Sequence, residues 1–553
     1  MTASGSTVLD VAGLSIGLPP GAERALAVDD VSFELRKGEI LCVVGESGSG
    51  KSMIANAVMG LLPKPHVRPV AGAVRFRGRD LLKETEAGLQ AIRGKDIGMI
   101  FQEPMTALNP VMTIERQIAE VFDAHAVLDK SERKSKVLEL LSDVGLPDPE
   151  LLRRSYPFRL SGGQRQRVMI AMALALRPEV LIADEPTTAL DVTTQAQILS
   201  LICRLQSERD MGIMFVTHDF GIVSDIADRV AVMQLGKLVE VGRAADVLRN
   251  PQHDYTRRLL SAVPAFVPKA RPAVHRGRLL SIARLDMTYR GKHGLFTKGR
   301  TVEAAKEVSL DVRKGETLGL VGESGSGKST IGRCIVRLLE PSGGSIRLGD
   351  IDISRMRGKQ LHPIRKRVQM IFQDPYASLN PRRKVGRIIS EGPVAHGASE
   401  AEATARTIEL LELVGLGRAA LHRYAHEFSG GQRQRIGIAR ALALDPELLV
   451  ADEPLSALDV SVQAQILELL ASIKERLHLA MLFITHDLRV AAQICDRIAV
   501  MQRGRIVEHG DTADVFTNPT HPYTRELIGA VSSLALPSTV VAGQESILAA
   551  DAL

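Results

Sequence analysis

Gly45-Glu46-Ser47-Gly48-Ser49-Gly50-Lys51-Ser52 returns unchanged as Gly322-Glu323-Ser324-Gly325-Ser326-Gly327-Lys328-Ser329. An eight-residue identity so far apart in one chain marks a duplication, and the surroundings repeat with it. Upstream, Val31-Ser-Phe-Glu-Leu-Arg-Lys-Gly38-Glu39 corresponds to Val308-Ser-Leu-Asp-Val-Arg-Lys-Gly315-Glu316, an alternating strand that stops at a glycine turn. A short apolar strand follows, Ile40 to Val44 or Thr317 to Val321, and runs into the glycine loop. Each half therefore opens strand, loop, helix.

Downstream the repeat continues through Ser161-Gly162-Gly163-Gln164 and Ser429-Gly430-Gly431-Gln432, Asp184-Glu185 and Asp452-Glu453, and His218 and His486, all at one offset of 268 residues. The stretch between each glycine loop and Gln102 or Gln373 differs in length, as expected of surface loops around a fixed geometry. Between Gln102 and Ser161, Val137, Leu138, Leu141 and Val144 share a helical face, and Ile408, Leu411 and Val414 repeat it, so each half should carry a helical subdomain.

A GxxxxGK[ST] loop between strand and helix binds nucleotide phosphates: its glycines let successive N–H groups face the oxygens, and the helix start adds positive potential. Lys51 and Lys328 would bridge the β- and γ-phosphates, and the hydroxyls of Ser52 and Ser329 would ligate Mg²⁺, a hard cation suited to oxygen donors. The apolar runs Val180 to Ala183 and Leu448 to Ala451 read as buried strands that deliver a carboxylate pair to the sheet edge. Asp184 and Asp452 would hold the metal through its water shell; Glu185 and Glu453 would orient the attacking water in an in-line displacement.

The bulk composition fits this reading. With 553 residues, 45% hydrophobic and 24% charged, the chain has ample material for two or more domains, and with 3% aromatics and no Trp its cores rest on aliphatic residues that suit parallel sheets under helices. A net charge of +6 without long charged blocks does not demand a nucleic-acid partner. Cys42, Cys203, Cys334 and Cys495 are far apart and form no CxxC pair, which argues against a zinc ribbon, an iron–sulfur motif or a disulfide framework. The first basic residue is Arg24 and no run approaches the ~20 apolar residues of a membrane span, so the chain reads as soluble and cytoplasmic by default.

On these motifs the chain resembles the ATP-binding cassette (ABC) superfamily from about residue 7 to 531. The resemblance implies an α/β fold: two P-loop NTPase domains, each with a RecA-like core, an antiparallel β subdomain and an α-helical subdomain. The expected division is residues 1–264, a linker at 265–279, residues 280–531, and a frayed tail at 532–553. The Ser-Gly-Gly-Gln segments match the family's signature, and Gln102 and Gln373 its Q-loop, a further metal contact. Ala189-Leu190-Asp191 and Ala457-Leu458-Asp459 match its D-loop, and His218 and His486 its switch histidine. It further implies two ATP molecules, each between one half's phosphate loop and the other half's signature.

Two departures stand out. The family usually stacks an aromatic on adenine upstream of the phosphate loop; Tyr289 fits in the second half, with Phe296 a weaker candidate, and Thr330 after Ser329 is a further nucleotide contact. The first half has no aromatic before Phe33, and Leu14 to Leu18 occupy the region, so weaker nucleotide affinity is expected there. Met53 also stands where Thr is commoner.

A tandem cassette without spans fits either a transporter motor or an ATPase acting on ribosomes or nucleic acid. The discriminating feature is a terminal element in both halves, Val239-Glu-Val-Gly242 through Asn250-Pro251-Gln-His253-Asp-Tyr255-Thr256 and Val507-Glu-His-Gly510 through Asn518-Pro519-Thr-His521-Pro-Tyr523-Thr524. It is similar to the end segment of ATPases from bacterial peptide, nickel and glutathione importers. That resemblance implies two transmembrane permeases and an extracytoplasmic solute-binding protein as partners, peripheral attachment to the cytoplasmic face of the inner membrane, and a peptide as the favoured solute.

Overall fold

The computed structural model describes residues 6–268 apart from 23 and 189, 277–290, and 301–532 apart from 457. Ala189 and Ala457, Phe296, most of the expected linker and nearly all of the expected tail lie outside the described residues. The chain divides into two compact units between Val263 and Pro264.

In the first unit, Ile40–Val44 is the central strand of a six-stranded sheet ordered Lys237–Arg243, Arg229–Gln234, Ile40–Val44, Gly212–Thr217, Val180–Asp184, Ile97–Ile100. All neighbours are parallel except the antiparallel pair at the Lys237–Arg243 edge. Ile40–Val44 and Val180–Asp184 are buried along their whole length, as strands covered on both faces require. A separate antiparallel sheet pairs Leu26–Arg36, Thr7–Gly17, Arg68–Phe76 and Arg79–Asp80 in that order. Its alternating burial turns Val31, Phe33 and Leu35 inward onto the core.

The second unit repeats both sheets. Its six strands run Val368–Ile371, Leu448–Asp452, Ala480–Thr485, Thr317–Val321, Arg497–Gln502, Arg505–Asp511, and its antiparallel sheet runs Thr301–Arg313, Arg278–Arg290, Gly343–Leu348, Ile351–Asp352.

Helices Ile114–His125 and Lys130–Asp143 lie between the Q-loop glutamine and the signature serine of the first unit, and Val385–Ala395 and Glu400–Leu413 in the second. The buried stripe differs by one position from the sequence expectation. Val137, Leu140, Leu141 and Val144 are buried, as are Leu410, Leu411 and Val414, whereas Leu138 and Ile408 are half-buried. Positions i, i+3, i+4 and i+7 form the face; i+1 falls on its flank.

Candidate nucleotide site

Each phosphate loop links a buried central strand to a helix, Lys51–Val58 or Lys328–Ile335. The residue before each helix, Gly50 or Gly327, has φ of 103° or 107°. A Cβ there would sit 2.6 Å from the Ala27 carbonyl oxygen or 2.0 Å from that of Ala304, so only glycine lets the loop close over the neighbouring sheet. Lys51 Nζ donates to the carbonyls of Gly45 at 2.7 Å and Glu46 at 2.9 Å, and Lys328 Nζ to those of Gly322 and Glu323, both at 2.7 Å. Both ammonium groups are thereby held across the mouth of their own loop.

Ser52 Oγ donates to Asp184 Oδ1 at 2.9 Å, and Ser329 Oγ to Asp452 Oδ1 at 2.7 Å. This hydroxyl–carboxylate pair is a donor set of hard oxygens that fits Mg²⁺. Burial pushes the Asp184 carboxyl up to about 6, against the opposing Ser52 hydrogen bond, and Asp452 is raised for the same reason. A divalent cation there would remove that mismatch. The loop also fits phosphate: a Cβ added at Gly48 or Gly325 meets nothing within 4 Å, and buried Ser49 Oγ and Ser326 Oγ have no hydrogen-bond partner.

The adjacent glutamates carry the opposite shift. Burial again pushes Glu185 up, but the His218 hydrogen bond and charge, Lys51 and the Thr188 hydroxyl outweigh it and bring the carboxyl down to about 2. Glu453 is lowered likewise by His486, Lys328 and Gln373 against burial. Neighbouring carboxylates pushed apart in this way are suited to different roles, one to meeting a cation and the other to staying ionised.

The geometry around the glutamates is closely repeated. His218 Nδ1 lies 3.3 Å from Glu185 Oε1 and Gln102 Nε2 donates to Glu185 Oε2 at 2.9 Å. In the second unit His486 Nδ1 is 3.4 Å from Glu453 Oε2, and Gln373 Nε2 donates to the same oxygen at 2.8 Å. The Q-loop amides thus reach the glutamates through nitrogen, which leaves the carbonyl end as the atom of the right kind for a metal. Glu185 and Glu453 have φ of 45° and 44°, left-handed values that a side chain adopts at a cost of ~1–3 kcal/mol. Their N–H groups bond to the carbonyls of Val216 and Ile484 at 2.9 Å in both units, which fixes the turn.

Ser161 and Ser429 cap the helices Gly162–Ala173 and Gly430–Leu442 in reciprocal boxes with Gln164 and Gln432. Each serine hydroxyl accepts from the glutamine N–H, and each glutamine side-chain oxygen accepts from the serine N–H. Gly163 and Gly431 are small for packing: a Cβ would lie 2.6 Å from Thr194 Cγ2 or 2.4 Å from Val462 Cγ1. Asp191 caps the next helix, Val192–Arg209, and Asp459 begins Val460–Leu477.

Tyr289 Oη lies 3.3 Å from Thr330 Oγ1 with the tyrosine 39% exposed, so an aromatic face borders the second loop. Strand register puts Leu18 at the matching place in the first unit, since Leu18 N–H bonds to Ala25 as Tyr289 pairs with Val302. Leu18 and Met53 instead pack partly buried against the core. Two residues escaped the sequence reading. Thr188 Oγ1 donates to Glu185 Oε2 at 3.0 Å, a hydroxyl three residues past the glutamate that the pattern Asp-Glu-Pro-Thr-Thr carried. Arg24 donates to the Gly48 carbonyl, from a loop with no motif to flag it.

The fold and these two loop-plus-carboxylate sites define a tandem P-loop ATPase. The ABC transporter family model matches residues 28–188 and 305–456, and that of the oligopeptide/dipeptide transporter C-terminal region matches 239–287 and 507–551. The chain is 47% identical to a peptidoglycan transport ATP-binding protein of Agrobacterium fabrum, over 97% of this chain and 98% of that one. It is 46% identical to a glutathione import ATP-binding protein of Salmonella typhimurium (95% and 89% covered) and to an uncharacterized ABC transporter ATP-binding protein of Escherichia coli K12 (94% and 99%). The chain belongs to the ABC transporter family. Within it the chain is an ATP-hydrolysing subunit of the importer class that uses ATP with Mg²⁺, and the ribosomal alternative finds no support. Subunits of this class act with membrane permeases and a solute-binding protein. Among the described residues, no helix is long and apolar enough to cross a membrane. Cys42, Cys334 and Cys495 are buried, and burial pushes the Cys42 and Cys334 thiols up, that of Cys334 to about 11.

Proposed function

We propose that this chain drives uptake of short peptides or peptide-like solutes, attached peripherally to the cytoplasmic face of an inner membrane through two permeases that receive solute from an extracytoplasmic binding protein. The observation that carries the solute class is the peptide-transporter end segment, present in both halves at 239–287 and 507–551. The relatives named for peptidoglycan and glutathione transport handle peptide-containing solutes, which agrees with it.

Each cassette's phosphate loop, Gly45 to Ser52 or Gly322 to Ser329, binds one ATP, and the signature segments Ser161 to Gln164 and Ser429 to Gln432 supply contacts to the γ-phosphate. Within a capping box the serine oxygen accepts from the backbone, so its O–H is the group suited to donate to a γ-phosphate. Mg²⁺, when bound, neutralises charge on the β- and γ-oxygens. Glu185 and Glu453, ionised and held by their histidines, orient the water; Lys51 and Lys328 hold the phosphates in line. Loss of the γ-phosphate contact would release the signature, a two-state switch biased by ligand.

Exposed positions between the Q-loop glutamine and the signature serine of each unit support two different permeases. The first unit exposes Val111 (79%) and Phe158 (61%), where the second has exposed Arg382 and His426. Val111 and Arg382 occupy equivalent turns, since their N–H groups bond to Asn109 Oδ1 at 3.1 Å and Asn380 Oδ1 at 3.0 Å. Apolar side chains at these positions in one unit and Arg382 and His426 at the equivalent positions in the other support distinct partners.

Isolation of the assembled complex from membranes, with mass spectrometry of what its binding protein carries, tests this reading. Two distinct permeases and a peptide-type solute are expected. Sedimentation with ribosomes, or a solute without peptide character, would contradict it.

A further inference from the structure

The terminal element that marks the peptide-importer class also touches the nucleotide loop, and it does so twice. Tyr255 Oη accepts the N–H of Glu46 at 3.2 Å, and Tyr523 Oη accepts the N–H of Glu323 at 3.0 Å. Both tyrosines are only 4% exposed, at the starts of helices Asp254–Ser261 and Pro522–Ser532. Glu46 and Glu323 are the first residues after the leading glycine of each loop, and each carbonyl is one of the two that receive the Lys51 or Lys328 ammonium group. One peptide unit on each side of a single residue is thus gripped from opposite ends, by the extension through N–H and by the lysine through C=O.

The tyrosine is itself braced. Glu240 Oε1 and Oε2 accept the N–H groups of Gln252 and His253 at 2.8 and 3.2 Å, and His253 Nδ1 accepts that of Tyr255 at 3.2 Å. In the second unit Glu508 accepts from Thr520 and His521 at 2.7 and 3.1 Å, and His521 Nδ1 accepts from Tyr523 at 3.2 Å. A turn closing a helix pair needs neither a buried phenol nor an oxygen aimed at a loop some 200 residues away in sequence. Conserving this whole relay in both halves, while Asp254 has become Pro522 beside it, points to a task at the loop.

We propose that Tyr255 and Tyr523 are positioning residues for nucleotide binding: each phenol oxygen fixes the first turn of its phosphate loop and couples the terminal extension to the nucleotide state of its own cassette. When the lysine engages phosphates it must give up one or both loop carbonyls. The tyrosine bond then keeps the loop in its binding geometry, a preorganisation that is lost without the oxygen. This inference rests on the assignment of Gly45 to Ser52 and Gly322 to Ser329 as the phosphate loops.

The experiment uses the full chain with Tyr255→Phe and Tyr523→Phe together, which keep the buried rings and remove only the phenol hydroxyls. Titration with a fluorescent ATP analogue is expected to show affinity about 3- to 10-fold weaker. Hydrogen exchange is expected to be faster in peptides covering 45–52 and 322–329, and unchanged in the strand peptides covering 180–184 and 448–452. Wild-type affinity with wild-type exchange in the loops would overturn the proposal. Should the double variant fail to fold, Glu240→Gln with Glu508→Gln, which loosens the brace from outside the loop, is expected to move both readouts in the same direction, and no movement overturns the proposal equally. Lys51→Ala with Lys328→Ala separates the underlying assignment: normal nucleotide binding in that variant would contradict the loop reading itself, whatever the tyrosines do.

Discussion

In the second cassette Tyr289 reaches Thr330 beside the phosphate loop, whereas the same places in the first hold Leu18 and Met53, packed against the core. Lysine, serine, aspartate, glutamate, glutamine and histidine, by contrast, recur in both sites, with distances that agree within 0.2 Å for the Ser–Asp contact and 0.1 Å for the His–Glu contact. The contrast separates two requirements. Phosphate and metal chemistry depends on directional contacts at fixed lengths, while adenine binding is a matter of stacking area, which can be strong in one site and weak in the other.

The largest test of this contrast is an exchange of the two pairs. Tyr289→Leu with Thr330→Met is expected to weaken ATP binding at the second site by ~1–3 kcal/mol, the worth of a base–aromatic stack, and Leu18→Tyr with Met53→Thr to strengthen the first. Calorimetric titration of single-site variants reads both. Equal affinities at the two wild-type sites would remove the asymmetry altogether.

A smaller difference lies next to the glutamates. Thr188 Oγ1 donates to the Glu185 carboxylate, but Ser456 Oγ donates to the Glu453 carbonyl at 3.2 Å. The first glutamate is held by one contact more. Thr188→Ala, with the second site silenced by Glu453→Gln, is expected to slow hydrolysis by about 2- to 10-fold, consistent with ~0.5–1.5 kcal/mol for a hydrogen bond. Ser456→Ala, with Glu185→Gln, is expected to stay within about twofold. A larger loss at Ser456 would reverse the comparison.

The repeat made most of this legible before any coordinates. Glycine loops, apolar strands ending in Asp-Glu and the Ser-Gly-Gly-Gln boxes are local patterns, so residue type and spacing carry them. Leu18 could be named as lacking an aromatic, but its match with Tyr289 needed strand register, because the loops that follow differ in length. The helical stripe was read one position off at Leu138, where flank and face differ by a single helical step. The left-handed glutamates and the Tyr255 contact with Glu46 were hidden for a different reason. One is a backbone state forced by the bonds to Val216 and Ile484, and the other joins residues 209 apart, and neither leaves a local pattern.

The central claim is that both cassettes are complete hydrolytic sites, each with its own glutamate. ATP turnover of Glu185→Gln, Glu453→Gln and the double variant in the intact transporter tests it most directly. The account predicts that either single variant is impaired and that the double falls by ~10²-fold or more, the usual contribution of a positioned base, with ATP still bound. A double variant that hydrolyses ATP like the wild type would contradict it.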